Sequence, residues 1–330
     1  MQAISKLTCP SSEEDITSHW KYTDKIYISC VCIVFNHEKY IKDTIDSILA
    51  QKSEHKFEVI IHDDCSTDST KNILLEYKNR FPNIIKLILQ EKNQYSQGIQ
   101  IGPLAIQHAL GEYIAICEGD DYWIDPKKIS KQINILEKNK HINLSISKAI
   151  SIFPDGTEKI FCDLGDSISK IPFKECILGP QKDFFPTATF FFRKEIINLL
   201  PEWFYTIAPV GDYYTQLYAS YNQGCIYIPN ITAVYRVGSI GSWTQSLNID
   251  KLIRDRKLRV LCSKLLLKQL KLKEIEIKTL KKRQFIYRKD MMALYIKQKK
   301  YISFAINFII TLYNNPLELI NAINKSLMKK

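Results

Sequence analysis

Residues 57–70 read FEVIIHDDCSTDST, and the architecture depends on how this stretch is parsed. The opening FEVII is a short apolar, β-branched run, the mark of a strand buried on both faces. It stops abruptly in a polar cluster headed by Asp63 and Asp64. Three similar runs surround it: IYISCVCIVF over 26–35, IIKLIL over 84–89 and YIAIC over 113–117. Segments of helical character separate them. Residues 40–51 carry Ile41, Ile45, Ile48 and Leu49 at helical spacing, and 67–80 stops at Phe81-Pro82, as a helix does before proline. Further helices are expected around 103–110 and over 126–139, the latter with Pro126 in its first turn and Asp125 as its cap. Continuous apolar strands alternating with helices predict an α/β fold, a mostly parallel sheet covered on both faces.

Such sheets bind ligands beyond the carboxyl ends of their strands. The cluster after the second strand and EGDDYWIDP, residues 118–126 after the fourth, should therefore lie at one edge. Glu118 and Asp120 stand two residues apart, so an extended turn can present both on one side. Carboxylates are hard ligands suited to magnesium or manganese, which leave positions open for phosphate oxygens. Asp63 and Asp64 end a buried strand, where ionised carboxylates need donors or a ligand. Helix capping by Ser66 and Asp68 would not account for them. His62 reads as a packed strand-end histidine.

Past residue 140 the pattern mixes. Strands are expected at 144–150, 159–162, 187–192, 225–228 and 231–236, with a helix over 212–222 and helices alone after about 246. The resulting division is a polar tail over 1–23, a catalytic domain over 24–245 and a basic helical region over 246–330.

Taken together and in this order, the motifs resemble the family-two glycosyltransferases of GT-A fold, as found in bacterial surface-polysaccharide synthesis. The resemblance rests on CIVFNHEKYIKDTIDSILAQ, IIHDDCSTDST, EGDDYWIDPKK, GDYY at 211–214 and YRVGSIGSW at 235–243. It implies an inverting, metal-assisted transfer from a nucleoside diphosphate sugar to an acceptor hydroxyl. Phe35 would flank the nucleobase where a tyrosine is usual, Asn36 and Glu38 would open the donor loop, and Asp64, beside Asp63, would read a base, by default uracil. Asp120 would be the main ligand of Mn2+ or Mg2+, with Glu118 in the first position of a DxD-like motif and Asp121 contributing to the donor site. Asp212 would be the general base, although a helix-starting aspartate is often only a cap, and Arg236 would help to hold the diphosphate. Trp123 and Trp243 would offer aromatic faces to an acceptor saccharide or lipid-linked saccharide, or would pack. The GxGxxG of dehydrogenases, the P-loop, and the glycine-rich arginine loop of nucleotidyltransferases are missing. A non-catalytic protein on a decayed transferase fold would not be expected to keep both acidic clusters and Asp212.

The 330 residues are 45% hydrophobic and 25% charged, with a net charge of +11. That charge is uneven. Residues 251–330 hold 21 Lys and Arg against 5 Asp and Glu, leaving 25 against 30 in the remainder. A basic tail on a mildly acidic body points to a polyanionic surface, such as the inner face of a membrane, and away from nucleic acid, which would need basic and aromatic residues interleaved through the fold. Lys257, Lys264, Lys268 and Lys271 recur at helical spacing opposite Leu258, Leu261, Leu265 and Leu272, and YISFAINFIITLY over 301–313 is apolar but too short to span a bilayer. A polar start without an export signal, and nine cysteines in no CxxC or zinc spacing, predict a cytoplasmic protein with reduced thiols.

Overall fold

A computed structural model describes residues 5–179, 184–242, 245 and 247–327. The chain divides into two compact units: residues 1–206 with 210–246, and residues 207–209 with 247–330.

In the first unit β1 (Ile28–Val34), β2 (Phe57–Asp63), β3 (Ile85–Leu89) and β4 (Tyr113–Ile116) run parallel in the order β3-β2-β1-β4. Every residue of β2 is buried, as its unbroken apolar run requires. Three helices cover this half, among them α4 (Ile101–Ile106), which lies against β1 and β2. In α2 (Ile41–Leu49) the buried residues Ile41, Ile45, Ile48 and Leu49 recur at helical spacing, and α3 (Thr70–Arg80) buries Leu74 and Tyr77. The sheet continues through β9 (Phe191–Arg193), antiparallel to both β4 and β6 (Leu144–Ile152), to β10 (Cys225–Arg236), parallel to β6, and ends at β5 (Tyr122–Trp123). Two short strands, β7 (Glu158–Phe161) and β8 (Ser169–Ile171), pair with β6 and β10. The consequence for function is directional. The carboxyl ends of β1, β2, β4, β6 and β10 share one edge, together with the amino ends of β5 and β9.

Several expectations shift. The stretches read as separate strands over 225–228 and 231–236 are one strand, in which register shifts between Ile228 and Ala233 absorb Pro229. The segment over 187–192 is a 3-10 turn (Thr187–Thr189) followed by the short β9. Helix α5 (Lys128–Lys138) starts after Pro126, so the proline precedes its first turn. Asp125 accepts the Lys127 N–H at 2.9 Å and pairs with Lys131 at 2.6 Å rather than serving as the N-cap. The described part of the stretch read as a polar tail packs on the sheet unit. Helix α1 (Glu13–Thr17) carries a Ser12–Asp15 capping box and buries Ile16, and Trp20 meets Phe57 edge to face. All nine cysteines are free thiols, seven of them buried.

One buried charge behind the sheet edge has a measurable cost. Lys128 is fully buried, its Nζ 4.3 Å from the centre of the Trp123 ring and donating to Gln132 Oε1 at 2.7 Å. Burial pushes its ammonium down to about 7. Between that value and its ordinary 10.5 the unfolded chain holds a proton the folded chain lacks, so this residue makes stability rise with pH across the window and fall as pH drops towards 7. Lys128→Met is expected to raise stability at pH 7 by about 2 kcal/mol, an advantage that shrinks as pH approaches 10. Denaturant melts of both proteins at the two pH values check this.

The second unit is helical: α9 (Ile249–Gln269), α10 (Glu274–Lys297), α11 (Tyr301–Asn314) and α12 (Pro316–Leu327). Its core joins Ile253 and Val260 to Tyr287, Met291 and Tyr295. No helix among the described residues is long and apolar enough to cross a membrane.

Candidate active site

The loops leaving β1 and β2 form one wall of the edge and are latched reciprocally. Asn36 Oδ1 accepts the Thr67 N–H at 2.8 Å, Glu38 Oε2 accepts the Ser69 N–H at 2.9 Å, and Asp68 Oδ2 accepts the Glu38 N–H at 3.1 Å. Asn36 itself adopts a left-handed conformation, φ 56°, which asparagine tolerates well. Beside them Asp64, buried, accepts the N–H groups of Gln94 and Tyr95 at 2.7 and 3.0 Å. Asp63 is bound by the hydroxyl and N–H of Ser66, and burial raises its carboxyl above the usual range. The sequence placed Asn36, Glu38, Asp63 and Asp64 in the donor site. The structure gathers all four on this wall with part-buried Phe35, and gives each except Phe35 a specific internal partner. His62 packs as expected, buried with its ring nitrogen 3.0 Å from Gln90 Nε2.

The floor is the loop after β4. Gly119 donates to Ile33 O at 2.9 Å, and the Thr44 hydroxyl donates to Asp121 O at 2.6 Å. A Cβ at Gly119 would lie 2.8 Å from His37 Nδ1 and 2.9 Å from Val34, closer than packed atoms allow. The flanking acids thus depend on glycine between them. Gly119→Ala is expected to lower kcat/KM about 100-fold by displacing Glu118 and Asp120 while leaving the fold intact. Steady-state kinetics with a thermal melt separates this from unfolding.

Four carboxylates converge here. Protein crowds the Glu118 carboxyl although the residue keeps some exposed surface. That burial, with the charges of Asp120 and Asp212 nearby, pushes its acid up to about 8. Asp121 is also raised well above the usual carboxylate range, by burial first and then by Asp120 and Glu118. Asp212 opens α8 (Asp212–Ser220) behind an N-cap that is Gly211. Its oxygens accept the Tyr213 N–H at 2.6 Å and the Thr187 hydroxyl at 3.4 Å. Thr187 precedes β9, whose amino end the topology places at this edge. Tyr235, near the end of β10, packs its ring beside Phe161 and Phe184, and burial first, then the charges of Asp121, Glu118, Asp120 and Asp212, raises its hydroxyl well above a phenol's usual value.

Three expectations need correction. Arg236 was expected to reach a diphosphate. Its guanidinium is instead paired with Asp43, donates to Asp120 O at 2.7 Å and stacks over the rings of Tyr122 and Tyr40, 4.4 and 5.1 Å from their centres. It braces the acidic loop. Asp121 was expected to face the donor, but it is buried, and its Oδ1 accepts the Arg236 N–H at 2.9 Å. Trp123 offers no platform to an acceptor either: its ring is wholly buried and its indole N–H donates to Ala188 O at 2.8 Å. Trp243 lies outside the described residues. Reading the sequence missed Tyr235, Ser239, whose hydroxyl binds Asp120 Oδ2, and Asp43. Tyr235 and Ser239 sat in view within YRVGSIGSW, whereas Asp43 gave no signal because its partner is 193 residues away.

The arrangement suits a divalent cation. Negative charge is in excess, Asp121 Oδ2 is buried without a partner among the described residues, and the Arg236 guanidinium is already committed to Asp43. Among the described residues no group of three or more His, Cys, Asp and Glu side chains could hold a metal alone. A cation here would need further oxygens, as from phosphates and water.

The description "Glycosyl transferase family 2" matches residues 29–199, about half of the chain and the part that carries both acidic loops. The chain belongs to this family. Among relatives of known sequence, an uncharacterized protein of Mycobacterium tuberculosis is 40% identical over 136 residues, 40% of this chain and 37% of that protein. The UDP-Glc:alpha-D-GlcNAc-diphosphoundecaprenol beta-1,3-glucosyltransferase WfaP of Escherichia coli is 35% identical over 114 residues, 34% of this chain and 42% of that one. The match thus spans well under half the length of these relatives. Among solved structures, S. aureus TarS 1-349 in complex with UDP-GlcNAc superposes with a TM-score of 0.60 at 18% identity, covering 82% of this chain and 73% of that one. The mannosyltransferase PcManGT from Pyrobaculum calidifontis, in complex with GDP-Man and Mn2+, gives 0.57 at 16% identity over 94% and 84%. At these identities the likeness establishes the family's GT-A fold in this chain.

Proposed function

We propose that this family-two protein is an inverting glycosyltransferase that moves a sugar from a nucleoside diphosphate, by default UDP, to a hydroxyl of a saccharide or lipid-linked saccharide in surface polysaccharide synthesis. The observation that carries the reading is that Glu118, Asp120 and Asp212 stand at the carboxyl edge of the sheet near enough for the charges of Asp120 and Asp212 to raise the Glu118 acid. TarS was solved with UDP-GlcNAc and PcManGT with GDP-Man and Mn2+, and WfaP is named for UDP-Glc and a diphosphoundecaprenol acceptor, which supports the donor and acceptor classes.

Asp120 and Glu118 would hold Mn2+ or Mg2+, whose charge offsets that developing on the departing diphosphate. The wall of Phe35, Asn36, Glu38, Asp63 and Asp64 would hold the nucleoside, the carboxylates offering acceptors to uracil or ribose. Asp212 would take the acceptor proton as the oxygen attacks the anomeric carbon. Arg236, Ser239 and Asp121 would keep the acidic loop in place. No covalent enzyme intermediate is needed, so the anomeric configuration inverts.

The test is incubation with a panel of nucleotide sugars, divalent metal and saccharide or lipid-linked acceptors, followed by mass spectrometry and NMR of the product. Metal-dependent release of UDP with an inverted anomeric centre is expected. A product of retained configuration would refute the mechanism, and release from no nucleotide sugar would refute the activity.

A further inference from the structure

Helix α11 is apolar on both faces. Its inward face packs Phe304 and Phe308 towards Phe285, Met292 and Leu319 and satisfies two polar side chains: Asn307 and Thr311 are buried, Asn307 Nδ2 donates to Arg288 O at 2.9 Å, and the Thr311 hydroxyl donates to Asn307 O at 2.6 Å. Its outward face holds Ile302, Ile306, Ile309 and Tyr313, with exposures of 80, 55, 63 and 88%. The spacing i, i+4, i+7, i+11 aligns them in one stripe, with Ile310 and Leu312 exposed on its flanks. A helix packed on a soluble core ordinarily leaves its outward face polar, whereas here no charged residue interrupts the 14-residue stretch. Each large aliphatic side chain left in water forgoes the gain of burial, so the face calls for an apolar partner.

Charge decides which partner. Exposed Lys297 and Lys299 stand just before the helix with Lys300, which pairs with exposed Asp250 at 3.3 Å, and residues 251–330 carry 21 basic against 5 acidic side chains. A second copy would bring the same positive unit against this one. An anionic lipid surface brings the opposite charge and an apolar interior together. Length decides the mode. At about 1.5 Å per residue the helix reaches about 21 Å, short of the roughly 30 Å hydrocarbon core, so it can lie in the interface but not cross it. Exposed Tyr301 and Tyr313 bracket the stripe, the residue type that settles at headgroup level. By contrast α9, whose lysines suggested an amphipathic membrane helix, buries Ile253, Val260 and Leu266 within the unit and shows a solvated lysine face.

We propose that α11 docks this protein on an anionic phospholipid bilayer, lying flat with Ile302, Ile306 and Ile309 in the acyl boundary and with Tyr301, Tyr313 and the 297–300 lysines at the headgroups. The inference does not depend on the transferase activity. The test is sedimentation of the full chain with vesicles of phosphatidylcholine, alone or mixed with phosphatidylglycerol, at low and high salt, for wild type and Ile306→Asn/Ile309→Asn. Wild type is expected to bind only the phosphatidylglycerol vesicles and to be weakened by salt, and the double variant to lose at least about tenfold in partitioning. Circular dichroism should show the same fold in both, because these side chains are exposed. Absence of wild-type binding at low salt would overturn the proposal, as would undiminished binding by the variant, which would make the attraction one of charge alone. Light scattering that finds a wild-type dimer dissociated by the same substitutions would overturn it in favour of self-association.

Discussion

Asp212→Asn is expected to lower turnover by about 10²- to 10⁴-fold while leaving donor affinity within about twofold of wild type. The substitution separates the two readings of an aspartate at a helix start. Asparagine caps a helix as well as aspartate does, so a purely structural Asp212 would tolerate it. The structure already weakens the capping reading, since the N-cap position belongs to Gly211 and the Asp212 oxygens turn to the Tyr213 N–H and the Thr187 hydroxyl. Asparagine keeps the shape and the contact with Thr187 but cannot accept a proton from an attacking hydroxyl. Steady-state kinetics beside donor titration of the same variant decides between them. Near-normal turnover would remove Asp212 from the chemistry.

Asp120→Ala is expected to abolish metal-dependent donor binding and to reduce turnover by about 1000-fold or more, through loss of charge stabilisation on the leaving group. Alanine should be tolerated structurally. Arg236 grips the backbone carbonyl of residue 120, not its side chain, and Thr44 holds the carbonyl of Asp121. Among the described residues it is the Ser239 hydroxyl that loses a partner. The loop should keep its course while its ligand disappears, which makes this variant more informative than Gly119→Ala, where the loop itself must move.

Legible and hidden features of this chain divide along a physical line. Strands β1, β2 and β4 are legible because each is buried along its length, and a run this short and rich in Ile and Val reads as a strand rather than as a buried helix. The directions of these strands then oblige the acids at 63–64 and 118–121 to share an edge. Strand β5 is invisible from sequence, since it is two residues of an acidic motif held by pairing with β10, more than a hundred residues later. That pairing also turns Trp123 inward and misleads a reading that sees an aromatic beside a metal motif and infers a sugar platform. Arg236 misleads for a related reason. A basic residue near a phosphate site looks like a phosphate ligand until Asp43 and the tyrosine rings on either side of it are seen. Roles set by a place at the end of a buried strand are readable, and roles set by distant partners are not. Helix α11 shows the same limit: its apolar stretch is plain in sequence, but only packing reveals that Asn307 and Thr311 face inward and the isoleucines outward.

The central claim is that the two acidic loops form one metal-assisted nucleotide-sugar site. Calorimetric titration of a panel of nucleoside diphosphates into wild type and Asp120→Ala, with and without manganese, tests it most directly. The account predicts that one nucleotide binds wild type with manganese, binds far more weakly without it, and does not bind the variant. Equal binding by wild type and variant, or binding indifferent to the metal, would contradict it.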